Sequence, residues 1–416
     1  MANMSNRQRV VITGLGVVSP LGNTLTDLTR NAFTGVSGIK RLDTPFADEL
    51  NCKIAAQAQF DPAEYFTKHT YSMLDRTSQM ALHTSMEAIK DAALIIDEHL
   101  RPRMGVFLGT GMGGAHSIEE GYVRLYKEGA NRLKPFTVLM GMNNAAASAI
   151  ALEYQLTGPN QTFSTACSSS AVAIGEATRL IRHGYVDVML AGGSEALLTF
   201  GTIKAWEALR TLAEEDAEDL SASCKPFSID RTGLVLGEGA AMLVLESFEH
   251  ATARGAKIYA EVVGYGAAND CNHITQPSVI GQSATMQAAL KDSGLAAEAI
   301  QYINTHGTGT KLNDITETNA IKNVFGAHAY DLSVSSTKSM HGHLMGAAGA
   351  LETIITTMAL QNNQLPPTIN LKHPDPECDL DYVPNVAKKL ANLEYAMSNS
   401  FAFGGTGAAL ILKKIN

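Results

Sequence analysis

The chain has no apolar run approaching 18 residues, no paired-cysteine spacing and no excess of positive charge. Each lack removes a class of protein. Without a long apolar run, no segment is expected to span a membrane as a helix. The N-terminal Met1-Ala2-Asn3-Met4-Ser5-Asn6-Arg7-Gln8-Arg9 lacks the apolar core of a signal peptide. Cysteines number five, at positions 52, 167, 224, 271 and 378, an odd count with no CxxC. That pattern speaks against a disulfide framework or a zinc site and for a reducing cytoplasm. Lysine and arginine total 32 against 41 acidic residues, a net charge of −9, which argues against generic nucleic-acid binding. Gly14-Leu15-Gly16 follows a Val/Ile run, but Ser19-Pro20 stands where a dinucleotide-binding turn needs its third glycine.

What remains is an ordinary compact-enzyme composition, 45% hydrophobic and 18% charged over 416 residues. That length holds a large core, as two domains or one duplicated unit. Strand patterns fall at 8–13, 104–109, 186–191, 241–246, 258–265, 300–304, 332–336 and 408–413. Helix patterns fall at 25–33, 72–95, 142–153, 167–183, 203–212, 282–293, 314–323 and 343–360. Their alternation predicts α/β layers.

The run Ser164-Thr165-Ala166-Cys167-Ser168-Ser169-Ser170 sets a thiol among small residues at the start of an uncharged helical segment. A free cysteine is most often a small buried hydrophobe. At a first helical turn, however, unpaired N–H groups and the positive end of the dipole favour thiolate. Two histidine stretches lie far downstream. Asn304-Thr305-His306-Gly307-Thr308-Gly309-Thr310 follows a strand pattern, and His343 sits in Lys338-Ser339-Met340-His341-Gly342-His343-Leu344-Met345-Gly346. One cysteine and two histidines, each in a Gly/Ser/Thr-rich turn beside a strand, are hard to explain by packing. His341-Gly342-His343 also invites a metal reading, but no third ligand lies at a sensible spacing. There is a weak internal echo: Cys167 and His343 each open a helix of small residues.

These residues, in this order, resemble the elongating β-ketoacyl-(acyl carrier protein) synthases, the condensing enzymes of fatty acid and polyketide synthesis. The resemblance runs from Val10-Val11-Ile12-Thr13-Gly14 to Ser400-Phe401-Ala402-Phe403-Gly404-Gly405-Thr406, through Gly158-Pro159-Asn160, Ala191-Gly192-Gly193-Ser194-Glu195, Pro226-Phe227-Ser228-Ile229-Asp230-Arg231 and Gly237-Glu238-Gly239-Ala240. It implies an α/β thiolase-like fold, with two related halves in an αβαβα five-layer arrangement. The first half, 1–255, would carry the nucleophile. The second, 256–416, would carry the histidines, the lysine and a gating phenylalanine.

The resemblance further implies an acyl group on Cys167, with His306 and His343 donating to the enolate of a decarboxylating malonyl thioester. Backbone N–H groups of Cys167 and Phe403 would form a second oxyanion hole, and no cofactor or metal is called for. Lys338 would be an electrostatic partner, with Glu317 as its counter-ion; Asp314 and Glu317 match an acidic pair of the family. Phe403 would be the mobile gate over Cys167, hinged on Gly404 and Gly405, and Phe401 would touch substrate; Ala402 stands where glycine is usual, and Gly407 where asparagine is usual. Thr308 and Thr310 would touch substrate. Met112 and, from a dimer partner, Thr137 would floor the acyl pocket. His273 is most simply a loop residue, in a loop the resemblance places beside the malonyl site.

The implied partner is an acyl carrier protein bearing acyl and malonyl groups on phosphopantetheine, docked on Lys68, Arg132, Lys134 and Arg210. The implied assembly is a homodimer, or a heterodimer with a chain-length-factor-like subunit. Three alternatives fit less well. A thiolase would carry a second reactive cysteine late in the chain, a starter-type synthase would pair Cys with His and Asn, and a non-catalytic partner subunit would lack Cys167.

Overall fold

The computed structural model describes residues 7–415. The first six residues, part of the leader reading above, lie outside the described residues, as does Asn416. Ten strands form the main sheet. In chain order they are β1 (Val10–Val18), β2 (Met104–Gly109), β3 (Asn160–Phe163), β4 (Val188–Glu195) and β5 (Gly239–Ser247), then β6 (Ala260–Asn269), β7 (Tyr302–Asn304), β8 (Ser333–Ser335), β9 (Tyr395–Phe401) and β10 (Thr406–Lys414). Six helices matter for the site: α1 (Arg76–Asp91), α2 (Ser169–Arg182), α3 (Phe200–Leu209), α4 (Val279–Ser293), α5 (Lys311–Phe325) and α6 (Ala348–Asn362).

The strand order is β8-β7-β9-β10-β6-β1-β5-β4-β2-β3. It divides between β6 and β1 into two sets of five with the same internal plan. From the division outward, each set runs first strand, fifth, fourth, second, third. The sense of pairing repeats as well. In the first set β1–β5 and β5–β4 are antiparallel, and β4–β2 and β2–β3 parallel. In the second, β6–β10 and β10–β9 are antiparallel, and β9–β7 and β7–β8 parallel. Only Val11↔Glu261 and Ile12↔Ala260 stitch the sets together.

The layers follow from where the helices bury themselves. Helices α2 and α6 touch strands of both sets. Their residues are buried nearly all round, including the polar Ser169, Ser170, Thr353, Thr356 and Thr357. A helix with no solvent face belongs in a core, and here it fills the space between two sheets. Helix α1 covers β1 and β5 from outside, and α4 covers β6 and β10. The result is the α/β, thiolase-like stack of helix, sheet, helix, sheet, helix.

Gly14 and Gly16 belong to that packing and to no nucleotide turn. A Cβ on Gly14 would sit 2.1 Å from the carbonyl oxygen of Ala88, and one on Gly16 would sit 1.9 Å from that of Thr84. The missing side chains let α1 lie on the strand backbone.

The eight expected strands are present, and β1 runs on to Val18. Two strands of this main sheet were not foreseen, β3 and β9. Tyr395-Ala396-Met397-Ser398-Asn399-Ser400-Phe401 is poor in β-branched residues; pairing with β7 and β10 on its two sides overrides weak local preference. The helix expected from 343 begins at Ala348, because Gly342 (φ 65°) and Met345 (φ 46°) take left-handed conformations before it.

Candidate active site

The nucleophile candidate sits on a tight elbow. Ala166 is held at φ 50°, and Ala166–Ser168 form a 3₁₀ turn leading into α2. Hydroxyls fix that elbow: Ser169 Oγ donates to Ala166 O at 2.6 Å, Ser168 Oγ to Thr165 O at 3.0 Å, and Thr165 N to Ser169 Oγ at 2.9 Å. Cys167 is buried, with its sulfur 3.9 Å from Met345 Sδ. Phe403 lines the same cavity as the Cys167 sulfur.

Burial dominates the thiol. It pushes Cys167 up to about 12, against the pull of the Lys338 ammonium and the Phe403 N–H. With the thiol so buried, its resting form at neutral pH is therefore the protonated one. The expectation that the helix start would favour thiolate is corrected: desolvation penalises the charged form more than nearby donors and charge favour it.

The two imidazoles come from the other set of strands. His306 follows β7, and its N–H and that of Gly307 donate to Glu317 Oε1 and Oε2 at 2.9 and 2.8 Å. Asp314, one turn earlier on α5, accepts from Phe227 N at 2.9 Å and Gly309 N at 3.3 Å, and faces Arg231. The Asp314/Glu317 pair thus pins the loop that aims His306. His343 N donates to Val235 O at 2.7 Å, and its ring accepts at Nδ1 from Met345 N at 3.2 Å. The ring centroids of His306 and His343 lie 5.2 Å apart at 81°. One atom each of Cys167, His306 and His343 lies within 4.8 Å of the others.

That trio has the composition of a metal site, but the hydrogen bonding points elsewhere. Accepting from Met345 N–H at Nδ1 places the His343 proton on Nε2, the buried ring nitrogen with no protein partner. His343 therefore offers an N–H donor where a metal would need a lone pair. Both rings are neutral: burial first, then the Lys338 charge, holds His306 and His343 well below the usual histidine range. A neutral N–H aimed into this cavity suits a developing oxyanion.

Lys338 is wholly buried, and its ammonium is paired with Glu352 of α6. This corrects the expected pairing with Glu317, whose two oxygens are taken by the His306–Gly307 backbone. Burial pushes Glu317 up to about 7, against its backbone donors and Lys338. Burial also raises Glu352, opposed by Lys338. Removing either member of the Lys338–Glu352 pair strands a buried charge, at a cost of about 3–5 kcal/mol.

A cavity of about 290 Å³ opens onto Cys167, His306 and His343. Thr308, Thr310, Phe401, Phe403, Arg210 and His273 also line it. The Thr308 and Thr310 hydroxyls are 2.8 Å apart, and the Phe401 ring stands 6.2 Å from that of His306, edge-on.

Comparison with known proteins agrees with this geometry. Residues 7–251 match the "Beta-ketoacyl synthase, N-terminal domain" family and residues 259–372 the "Beta-ketoacyl synthase, C-terminal domain" family. The chain belongs to the β-ketoacyl synthase family. A 3-oxoacyl-(acyl-carrier-protein) synthase 2 from Synechocystis is 43% identical over the full length of both chains. One from Coxiella burnetii is 44% identical over 98% of this chain and 99% of its own. Among solved structures, a type II polyketide ketosynthase in complex with its acyl-carrier protein superposes with TM-score 0.90 at 33% identity, covering 99% of this chain and 100% of that one. The ishigamide ketosynthase/chain length factor gives 0.90 at 34%, with the same coverage. Like its relatives, this β-ketoacyl synthase is an acyltransferase.

Not every expected residue reaches the cavity. Met112 is 48% exposed and Thr137 borders a separate small crevice; neither lines the Cys167 cavity within the single chain. Both lie in a region whose apolar side chains face outward, with Tyr126, Val138 and Leu139 exposed. Lys68, Arg132 and Lys134 are exposed but outside the cavity lining, and Lys134 is paired with Glu120 at 2.7 Å. Of the four docking candidates, only Arg210 lines the mouth.

Sequence reasoning missed Lys311 at the mouth and Trp206 on the wall, and the role of Glu195 beneath the Gly111–Met112 and Gly346 turns. Glu195, wholly buried, accepts from the N–H groups of Gly111, Met112 and Gly346. A glycine-rich stretch ending in glutamate was visible in the sequence, but its backbone partners were not.

Proposed function

We propose that this chain elongates acyl chains by decarboxylative condensation, with Cys167 as the acyl carrier and His306 and His343 as the donors that hold the enolate. The observation that carries this reading is the meeting of one thiol and two neutral imidazoles within 4.8 Å in a buried cavity. First, the Cys167 sulfur forms a bond to the acyl carbonyl carbon. The carrier's thioester C–S bond breaks, and the thiol proton ends on the departing thiol. The N–H groups of Cys167 and Phe403 face the tetrahedral oxygen. Next, a malonyl thioester sheds its carboxylate as CO₂, and the electron pair of that C–C bond becomes an enolate held by the imidazole N–H groups. The enolate carbon attacks the acyl-cysteine, the S–C bond breaks, and Cys167 takes up a proton again.

Decarboxylation supplies the carbanion, so the rings need only donate. Their lowered pKa values keep them neutral for that task across the physiological range. Lys338, fixed by Glu352, supplies positive potential without contacting the sulfur's proton. The partners are acyl and malonyl groups on a carrier protein, and the working unit is a dimer. A second copy, or a chain-length-factor-like subunit, covers the outward-facing segment around Lys134–Leu139 and completes the acyl pocket with Thr137. Five free cysteines fit a reducing cytoplasm. No described helix is long and apolar enough to cross a membrane.

The test is the intact mass of the protein after incubation with a panel of acyl-carrier thioesters, followed by malonyl-carrier. The expected result is a single acyl adduct on Cys167, discharged as β-ketoacyl-carrier with release of CO₂. An adduct on another residue, or none with any chain length, would overturn the reading.

A further inference from the structure

The Phe403 segment has a neighbour that the condensation chemistry does not use. Trp206 is the only tryptophan in the chain. It stands on α3, half-buried, in the wall of the Cys167 cavity. Its ring stacks on that of Phe403, with centroids 6.0 Å apart and planes 26° from parallel. Trp206 and Ala402 pack against the same apolar cluster that encloses Cys167 and Met345. Ala402, where glycine is usual, thus has a Cβ that joins the packing.

The stack matters because of what the same residue does with its backbone. Phe403 lines the same cavity as Cys167, and its N–H opposes the rise that burial imposes on the thiol. A ring clamped by Trp206 is a ring whose N–H stays in place. The segment beyond it is built to move: Gly404 and Gly405 sit at φ 86° and 88°, and a Cβ on Gly404 would meet nothing within 4 Å. Single hydrogen bonds close the turn, Gly405 N to Ala402 O and Ala402 N to Thr406 O, both at 3.0 Å. Gly404 N donates to Ile274 O at 2.8 Å, tying the turn to the loop that carries His273.

We propose that Trp206 is the latch of this segment. It is a positioning residue, acting through Phe403: while the rings stack, the Phe403 segment is held against the Cys167 cavity, and an acyl chain gains the space beside Cys167 only when the stack parts. This rests on the condensing reading above and adds to it the residue that sets when the nucleophile is covered.

A sole tryptophan makes the latch directly visible. The full-length protein is mixed with octanoyl-N-acetylcysteamine, and tryptophan emission and intact mass are followed together. In the wild type, emission should change in step with the acyl adduct; in Cys167→Ala it should not change. Trp206→Ala should lower kcat for condensation about tenfold, the most one aromatic pair supports, while KM for the carrier stays near its original value. Trp206→Phe, which keeps a stacking ring, should recover most of the loss. On a Phe403→Ala background, Trp206→Ala should cost nothing further, because the two act as one unit. Emission unmoved by acylation, a loss falling on KM alone, or additive losses in the double variant would overturn the latch and leave Trp206 a cavity wall. Absence of any adduct in the wild type would instead overturn the condensing reading beneath it.

Discussion

The two five-stranded halves use the same turn for opposite ends of the chemistry. In the first half, a left-handed residue, Ala166 at φ 50°, throws the chain into a 3₁₀ turn and then the buried helix α2. In the second, Met345 at φ 46° does the same ahead of α6. The residue after the left-handed one is Cys167 in the first half and Gly346 in the second. Each half also has a strand-end loop whose backbone N–H groups are gathered by a buried carboxylate. Glu195 collects Gly111, Met112 and Gly346; Glu317 collects His306 and Gly307. Only the second of these loops carries an imidazole. The fold supplies two equivalent rims, and in the proposed mechanism the division of labour comes from which side chain stands on each: the proposed nucleophile on one, the proposed oxyanion donors on the other.

The sharpest way to break this division is to empty one rim at a time. Cys167→Ala should abolish acyl transfer and every acyl adduct by mass spectrometry, with the thermal midpoint little changed, since the one sulfur removed borders an existing cavity. An adduct surviving in that variant would move the nucleophile elsewhere. On the opposite rim, His306→Ala and His343→Ala should each slow malonyl decarboxylation by about 10²–10³-fold, the usual loss for one oxyanion donor. Self-acylation of Cys167 should suffer far less. Equal losses in both steps would mean that the imidazoles position or activate the thiol, and the division between rims would fail.

The carboxylates offer a finer comparison. Glu317→Gln replaces an oxygen acceptor with an amide that cannot accept from both His306 and Gly307, costing about 1–3 kcal/mol for the unmet donor. Because that loop aims His306, condensation should fall with acylation spared. Glu195→Gln should cost similar stability without that selectivity. The sign of the pH dependence follows from burial. Glu317 is pushed up from 4.5 to about 7, so the folded protein holds a proton the unfolded chain has lost. Stability from this group is full below about 4.5 and declines as pH rises through about 7. Thermal midpoints between pH 5 and 8 should fall less steeply in Glu317→Gln than in the wild type; an unchanged slope would assign the raised proton affinity to another buried carboxyl.

Much of this was legible before any coordinates. Cys167, His306, Lys338 and His343 stand in turns whose glycines and small residues advertise a site, and periodic segments such as α1 and α2 declare themselves. What was not legible depends on partners distant in sequence. Strand β9 reads as an irregular Ser/Asn stretch until β7 and β10 pair with it. Lys338 has acidic residues at several plausible spacings, and only the fold chooses Glu352 over Glu317. The thiol's protonation was misjudged because a sequence displays the helix start but not the depth at which it is buried. Trp206 gave no signal, since a lone tryptophan on an amphipathic helix is ordinary core.

The smallest expected effect is at the mouth, where each half contributes one cation. Arg210 follows α3 in the first half and Lys311 opens α5 in the second; both are exposed and both line the cavity that leads to Cys167. The proposed acidic carrier, approaching a molecule of net charge −9, would need a local attraction, and these two residues stand at the cavity mouth. Exposed charges are screened and individually weak. Arg210→Glu or Lys311→Glu should raise the carrier's KM by about threefold to tenfold and flatten its dependence on salt, with kcat on a small thioester mimic unchanged. If the two halves share docking as they share chemistry, the reversals should be similar in size and the double variant close to their sum. A loss confined to Arg210 would place the carrier over the nucleophile's half alone. A loss on the mimic as large as on the carrier would mean the reversal had disturbed the site itself.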